Sequence, residues 1–280
     1  MSHIVEIPAK PFQSYCKNLV IHQVPAAQDN LIWLIEYEKG YVAAVDGPSA
    51  KEVLTYCSEH QLQLTTIINT HIHGDHIGIN HDLHKIGLLK DMRVIGAAFT
   101  ANQIPGLTEP VKEGSVLTLG NVNGIAIETN GHINGHICYL FSDVLFSGDT
   151  LFTGGCGYLF DGPPKAMFDS LSKLRTLPLH TKVCCAHEYT QDNLLFAKSV
   201  EPNNTKLQER YESCLNVRLN GGTVVPSTLE QELQTNPFLR WDSQELISSL
   251  QKTYPEIQGT NPADIFAYTR ALKDSKRYRN

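Results

Sequence analysis

The sequence predicts an α/β protein in two parts: a mixed α/β part over residues 1–188 and a mostly helical part over 189–280. Three observations predict it. Up to residue 185, short apolar and β-branched runs alternate with polar and Gly-containing breaks, as in a succession of short strands. Beyond about residue 188 that signal fades, and the remaining apolar stretches read as helices. Several potential ligand residues also recur directly after apolar strands, where a rigid scaffold presents chemistry on loops. Two sheets flanked by helices suit the first part.

In chain order, Asn18–Ile21, Leu31–Ile35 and Val42–Val45 read as strands. Ser49 to His60 reads as a helix that Ser49 caps. Thr65–Asn69 is a buried strand by its β-branched content, and the polar stretch after Thr70 leads to a helix expected over Asn80–Leu89. Strands follow at Val94–Gly96, Ser115–Leu117, Ile125–Ile127, Ile137–Phe141 and Val144–Phe146, then a helix over Met167–Leu174 and a strand over Thr181–Cys185. Asn193–Val200, Asn203–Arg218, Thr228–Gln234, Gln244–Thr253 and Pro262–Lys273 read as helices, with Gly221–Pro226 a connector.

The composition is that of a globular protein: 280 residues, 41% hydrophobic, 19% charged, net charge −6. The acidic balance argues against a nucleic-acid partner, which needs a basic footprint. No stretch approaches the roughly 20 continuous apolar residues of a membrane span. The start lacks the basic-then-apolar pattern of a secretory signal, and seven irregularly spaced cysteines do not form a disulfide framework. Together these point to reduced thiols and a cytoplasmic location. Cys184 and Cys185, within a buried strand, read as small apolar filler.

The strongest feature is Thr70-His71-Ile72-His73-Gly74-Asp75-His76. A lone His is usually a solvated loop residue, but three His and an Asp at this spacing after an apolar strand are not. Alternate residues of an extended chain point the same way, so His71 and His73 can grip one metal ion together. Gly74 permits a sharp turn that sends Asp75 and His76 in another direction, which suits two adjacent ions better than one. Catalytic zinc usually takes three protein ligands and leaves a position for water, so further ligands must come from elsewhere. His132, Asp149 and His187 qualify, each after an apolar strand and beside Gly or Ala. His136 reads as a partner that orients a ligand.

This set resembles the metallo-β-lactamase superfamily, whose signature is His-x-His-x-Asp-His followed by a distant His, Asp and His. Gly135-His136-Ile137-Cys138-Tyr139, Ser147-Gly148-Asp149-Thr150-Leu151-Phe152, Gly154-Gly155-Cys156-Gly157, Ala186-His187-Glu188-Tyr189-Thr190 and Asn236-Pro237-Phe238-Leu239-Arg240 are similar to the hydroxyacylglutathione hydrolase (glyoxalase II) family over most of the chain. The resemblance implies an αββα sandwich with a C-terminal helical domain that binds substrate. It also implies hydrolysis of S-D-lactoylglutathione to glutathione and D-lactate by a metal-activated hydroxide. His71, His73 and His132 would hold one metal, Asp75, His76 and His187 a second, and Asp149 would bridge them. Zinc fits such ligands, as do iron and manganese. The thiolate leaving group, whose thiol has a pKa near about 8.5, needs no strong acid. Asp75 and Asp149 are then the catalytic carboxylates, with Asp75 either a base or only a ligand.

Glutathione is anionic, and the resemblance assigns its contacts to Tyr158, Tyr189, Arg270 and Lys273. Lys276, Arg277 and Arg279 read as solvated surface. Tyr158 stands where many family members carry Lys or Arg, and Phe160 where some carry Tyr, so thiol specificity is an open point. The alternatives are another superfamily enzyme (a different thioester or lactone hydrolase, or a mononuclear-iron persulfide dioxygenase) and a non-enzymatic metal-binding or redox partner. A monomer or small homo-oligomer is expected.

Overall fold

A computed structural model describes residues 3–279. The first sheet runs β1 (Phe12–Gln13), β2 (Val20–Ala26), β3 (Asn30–Glu38), β4 (Tyr41–Val45), β5 (Gln63–Ile68), β6 (Arg93–Ala97) and β7 (Glu109–Val111), neighbours in sequence lying side by side. The second sheet is built from β8 (Val116–Leu119), β9 (Val122–Glu128), β10 (Ile137–Phe141) and β11 (Val144–Gly148). A two-stranded hairpin, β12 (Leu151–Phe152) with β13 (Gly155–Cys156), follows β11, and β14 (Lys182–Cys185) and β15 (Ser227–Thr228) complete the second sheet beside β11.

Period-two alternation decides which side chains fill which layer. On β3, Leu31, Trp33 and Ile35 face the second sheet and meet Tyr139, Phe141 and Phe146 in the central core. Ile32 and Leu34 point outward, into a cluster with Val53 and Cys57 of α1 (Ala50–His60) and Ile79 and Leu83 of α2 (Gly74–Lys85). The outer face of the second sheet presents Cys138, Leu145 and Val183 to Met167, Leu171 and Leu174 of α3 (Pro164–Arg175). The order of layers is therefore helix, sheet, sheet, helix.

The rest of the chain forms α4 (Thr190–Val200), α5 (Thr205–Leu219), α6 (Leu229–Thr235), α7 (Gln244–Thr253) and α8 (Pro262–Asp274). Phe196, Phe238, Leu246 and Phe266 from this region share one apolar cluster with α3 and the second sheet. Asn236 Nδ2 donates to the Gly155 carbonyl at 3.0 Å, and the Gly154 amide donates to buried Glu232 at 2.7 Å. The helical part thus holds the β12–β13 hairpin in place.

One expectation is corrected, and five short strands were not foreseen. The helix expected over Asn80–Leu89 is α2, which begins at Gly74 and ends at Lys85. Its inner face buries His76 and Asn80 as well as Ile79 and Leu83, so polar residues interrupt the apolar spacing that marks a helix. The short strands β1, β7, β12, β13 and β15 carry no sequence signal because pairs and triplets are too short to show alternation. The seven cysteines are free, and all but Cys16 are buried. No helix among the described residues is long and apolar enough to cross a membrane.

Candidate metal centre

β4 and β5 are parallel, as are β11 and β14, while β9 and β11 both lie antiparallel to β10. Strands β9, β11 and β14 therefore share one direction, and their C-terminal ends open on one edge of the sandwich. His132 follows β9, Asp149 follows β11 and His187 follows β14. Cross-sheet hydrogen bonds pin the His71–His76 segment and the His187 segment to this edge. The Ile137 amide donates to the Thr70 carbonyl at 2.8 Å, Tyr139 Oη to the Asn69 carbonyl at 2.9 Å, and the Leu31 amide to the Ala186 carbonyl at 2.7 Å.

The seven side chains converge. His71, His73 and His132 form one group in which the ligand atoms all lie within 4.8 Å of one another; Asp75, His76 and His187 form another, and Asp149 groups with His71 and His76. His71 Nε2 and His132 Nε2 lie 2.9 and 3.1 Å from His73 Nδ1. Asp149 directs one oxygen to each side: Oδ2 is 3.4 Å from His132 Nε2, while Oδ1 is 3.3 Å from His187 Nε2 and 3.6 Å from His76 Nε2. Asp75 Oδ2 lies 3.4 and 3.5 Å from His187 and His76 Nε2.

Four of the seven side chains are oriented from behind. Asp29 accepts from His187 Nδ1 at 2.8 Å, the Tyr158 carbonyl from His132 Nδ1 at 2.7 Å, and Asp75 from Asn30 Nδ2 at 3.1 Å. Asp46 Oδ2 lies 3.0 Å from His76 Nδ1 and accepts from Thr70 Oγ1 at 2.7 Å. His136 belongs to none of the ligand groups, although its ring stacks on His71 at 4.9 Å: its Nε2 accepts the Asp149 amide at 3.1 Å, and its Nδ1 lies 2.9 Å from Thr129 Oγ1. It supports the loop that carries Asp149. Gly148 just before it adopts φ +49°, where a Cβ would sit 2.5 Å from Thr70 Oγ1 and 2.7 Å from His136 Nε2, so no side chain fits.

The donor set fits a divalent cation. His76 Nε2 and Asp149 Oδ1 are buried without a hydrogen-bond partner, a costly arrangement unless a cation satisfies them. Burial opposes the charge of Asp149, yet His187 and His76 outweigh it and hold its carboxyl well below the usual range. Burial likewise opposes the charge of Asp75, and His76, Asn30 and His187 outweigh it. Burial lowers His71 and His132, which leaves both neutral and ready to coordinate. His187, despite burial, is raised to about 9 by Asp149 and Asp29. The ionised carboxylates thus keep the His187 imidazole protonated in the metal-free chain, and a metal ion would displace that proton on binding.

Above the ligands lies a cavity of about 480 Å³ that Asp75, Asp149, His187, Phe152, Tyr158, Phe160 and Tyr189 help to line. Phe160 is 61% exposed, and its ring centroid is 5.3 Å from that of His73. A second cavity of about 400 Å³ shares Phe152, Tyr158 and Tyr189 with the first and continues to Arg270, Lys273, Lys276 and Arg279. Tyr189 stacks on His187 at 5.0 Å and so forms the wall between metal ligands and second cavity.

Arg270 and Lys273 reach this cavity already engaged. Arg270 donates to Asp274 at 2.6 Å and to the Cys156 carbonyl at 3.2 Å. Lys273 donates to Asn193 at 2.9 Å and to Asp192 at 3.2 Å, and burial pulls its pKa down to about 8. Lys276 and Arg279, read from sequence as surface, also line the cavity. Asp192 collects Lys273, Tyr278 and Arg279, a hub with no sequence signal because its partners lie more than 80 residues away.

Comparison with known proteins bears on this site. The metallo-beta-lactamase superfamily model matches residues 44–187, and the hydroxyacylglutathione hydrolase C-terminus model matches residues 188–276. The hydroxyacylglutathione hydrolase of Methylococcus capsulatus is 41% identical over 259 residues, 91% of this chain and 98% of that protein. That of a Synechocystis species is 40% identical over 267 residues, 91% of this chain and 99% of the relative. Among solved structures, the BLEG-1 B3 metallo-beta-lactamase superposes with a TM-score of 0.59 at 21% identity, covering 79% of this chain and 99% of its own. ETHE1 from Myxococcus xanthus gives 0.59 at 22% identity, covering 90% and 98%. These two likenesses concern the fold.

Proposed function

The chain belongs to the hydroxyacylglutathione hydrolase family of the metallo-β-lactamase superfamily, and from that premise we propose that it hydrolyses S-D-lactoylglutathione to glutathione and D-lactate. The observation that carries the reading is the junction of two adjoining cavities, one over the His/Asp cluster and one lined by basic side chains. A thioester spanning that junction puts its acyl carbon over the ligands and its anionic thiol half among the cations.

His71, His73 and His132 are assigned to one divalent metal, Asp75, His76 and His187 to a second, and Asp149 to both. Zinc suits these donors, as iron and manganese do. When bound, such ions supply water activation near neutral pH and polarisation of the thioester carbonyl. The protein's part is to orient and to exclude water. Asp29, Asp46 and the Tyr158 carbonyl fix the imidazole rings, which keeps the ligand geometry tight. Asp75, held by Asn30 and facing His76 and His187, is assigned as a ligand of the second ion. Phe152, Tyr158 and Phe160 make the rim over the acyl site apolar. Tyr189 contacts the substrate where the two cavities meet. Lys273 and Lys276 draw the thiol half by charge, with Arg270 a buried support behind them. A thiolate leaves without a dedicated acid, consistent with the absence of one among the cavity residues described.

The test is turnover of S-D-lactoylglutathione by the purified protein, followed by loss of thioester absorbance, with metal content measured on the same sample. Turnover with close to two metal ions per chain is expected. No turnover in a fully loaded sample would move the substrate away from glutathione.

A further inference from the structure

Residues 3–15 lie outside both matched family segments, and they run as a strap from the first sheet to the second cavity. Near its far end, β1 pairs with β2, Phe12 packs against Trp33, and the Tyr15 amide donates to Asp143 at 2.7 Å. In the middle, Val5 enters the central core. The Glu6 and Ile7 amides both donate to the Gly221 carbonyl, at 2.9 and 3.0 Å. Gly221 adopts φ +73°, and a Cβ there would meet Glu6 Oε2 at 2.8 Å. At the near end, His3 lines the second cavity.

His3 makes two defined contacts. Its Nδ1 donates to the Glu188 carbonyl at 3.0 Å, and its ring stands edge-on to Tyr189, 5.2 Å between centroids at 88°. Glu188 is itself immobilised, its carboxylate accepting from Thr223 Oγ1 at 2.6 Å, from the Val224 amide at 3.1 Å and from the Thr190 amide at 3.2 Å. Tyr189 is held by three rings. His187 stacks on it and Phe152 meets it edge-on at 5.4 Å. His3 alone among the three comes from neither the metal loop nor the hairpin, so its placement depends wholly on the strap.

We infer that the strap completes the thiol-side wall and that His3 is a positioning residue, fixing Tyr189 for the glutathione half of the substrate. This rests on the hydrolase reading above. An aromatic edge contact and one hydrogen bond restrict the Tyr189 ring before substrate arrives, which lowers the ordering cost of binding. The contact is made in both ground and transition states, so its loss appears in KM and not in kcat.

Three measurements test it on the metal-loaded protein. His3→Ala should raise KM for S-D-lactoylglutathione about five-fold, the loss of one such contact, with kcat and metal content unchanged. His3→Phe keeps the ring against Tyr189 and should bring KM back to within about two-fold of the wild type. A lactoyl thioester of N-acetylcysteamine, which lacks the peptide, should be hydrolysed equally by wild type and His3→Ala. An unchanged KM in His3→Ala, a fall in kcat matching the rise in KM, no recovery in His3→Phe, or an equal loss on the truncated thioester overturns the inference. Binding of S-methylglutathione separates the two levels: weaker binding in His3→Ala supports the strap, whereas no binding by the wild type removes the glutathione reading itself.

Discussion

Stripping the metal ions should make the stability of this protein fall steeply as pH rises from 6.5 to 9. His187 has its pKa raised from 6.5 to about 9 in the folded chain. Burial works against its charge, and Asp149, 3.3 Å from Nε2, with Asp29, 2.8 Å from Nδ1, overcomes that penalty. A group whose folded pKa is raised contributes stability that is fully present below its unfolded value and lost as pH climbs through the folded one. Each pKa unit is worth about 1.4 kcal/mol, so 2.5 units correspond to about 3 kcal/mol between pH 6.5 and 9. His76 is raised through the same Asp149, so the two losses overlap and do not add. With metal bound at Nε2, these imidazoles are already neutral across this pH range and the effect disappears. Urea denaturation of chelator-treated and metal-loaded protein at pH 6, 7.5 and 9 measures the difference. A loss of about 3 kcal/mol shifts the midpoint on the order of 1 M. A metal-free midpoint that stays flat across this range, or that falls equally with metal bound, would refute the argument.

Other outcomes follow from the same geometry. Asp149→Asn keeps the shape but removes the charge facing both ligand groups; where removing a supporting partner costs about 10–100-fold, this ligand should cost more, in both activity and metal stoichiometry by elemental analysis. Gly148→Ala forces a Cβ to within 2.5 Å of Thr70 Oγ1 at φ +49°. We expect a loss of about 2–4 kcal/mol from backbone strain and overpacking combined, read as a lower melting temperature together with lost metal, and a wild-type melting temperature would contradict the packing argument. Lys273, brought down to about 8 by burial, is charged below that pH and neutral above it. KM for the anionic substrate should therefore rise as pH passes 8, and Lys273→Gln should abolish that rise; a slope that survives the substitution assigns it to another group.

The strands were legible because their apolar runs are short and broken by polar and Gly residues, while the αββα order of layers was implied by the family resemblance. Leu31, Trp33 and Ile35 against Ile32 and Leu34 give two apolar faces, as in a strand covered on both sides, and the shortness of the run favours a strand over a buried helix. The start of α2 was hidden for the opposite reason. His76 and Asn80 occupy its buried face, where the Asn80 side chain exchanges hydrogen bonds with Asn69 at 3.0 and 2.9 Å. A polar inner face satisfied by specific partners leaves no apolar period to read, and the same packing sends Asp75 and His76 into the site from the first turn of a helix.

The clustering of the candidate ligands was legible because four of the seven are local in sequence, and a short run of His and Asp after a strand has few other physical uses. The walls of the second cavity were not, since each depends on contacts between distant segments. Arg270 and Lys273 share a helix, but spacing alone does not reveal that the Cys156 carbonyl engages the first and that Asp192 and Asn193 hold the second. Lys276 sits beyond the end of α8, where a basic tail reads as solvated surface, and reaches the cavity because the chain turns back at Lys276 with φ +56°. His3 shows the limit most clearly: an isolated histidine far from any motif carries no signal, and only the course of the strap past Gly221 brings it to Tyr189. More than half of the candidate ligand set is thus written in one local string, whereas the lining of the second cavity is assembled from side chains whose proximity the fold creates.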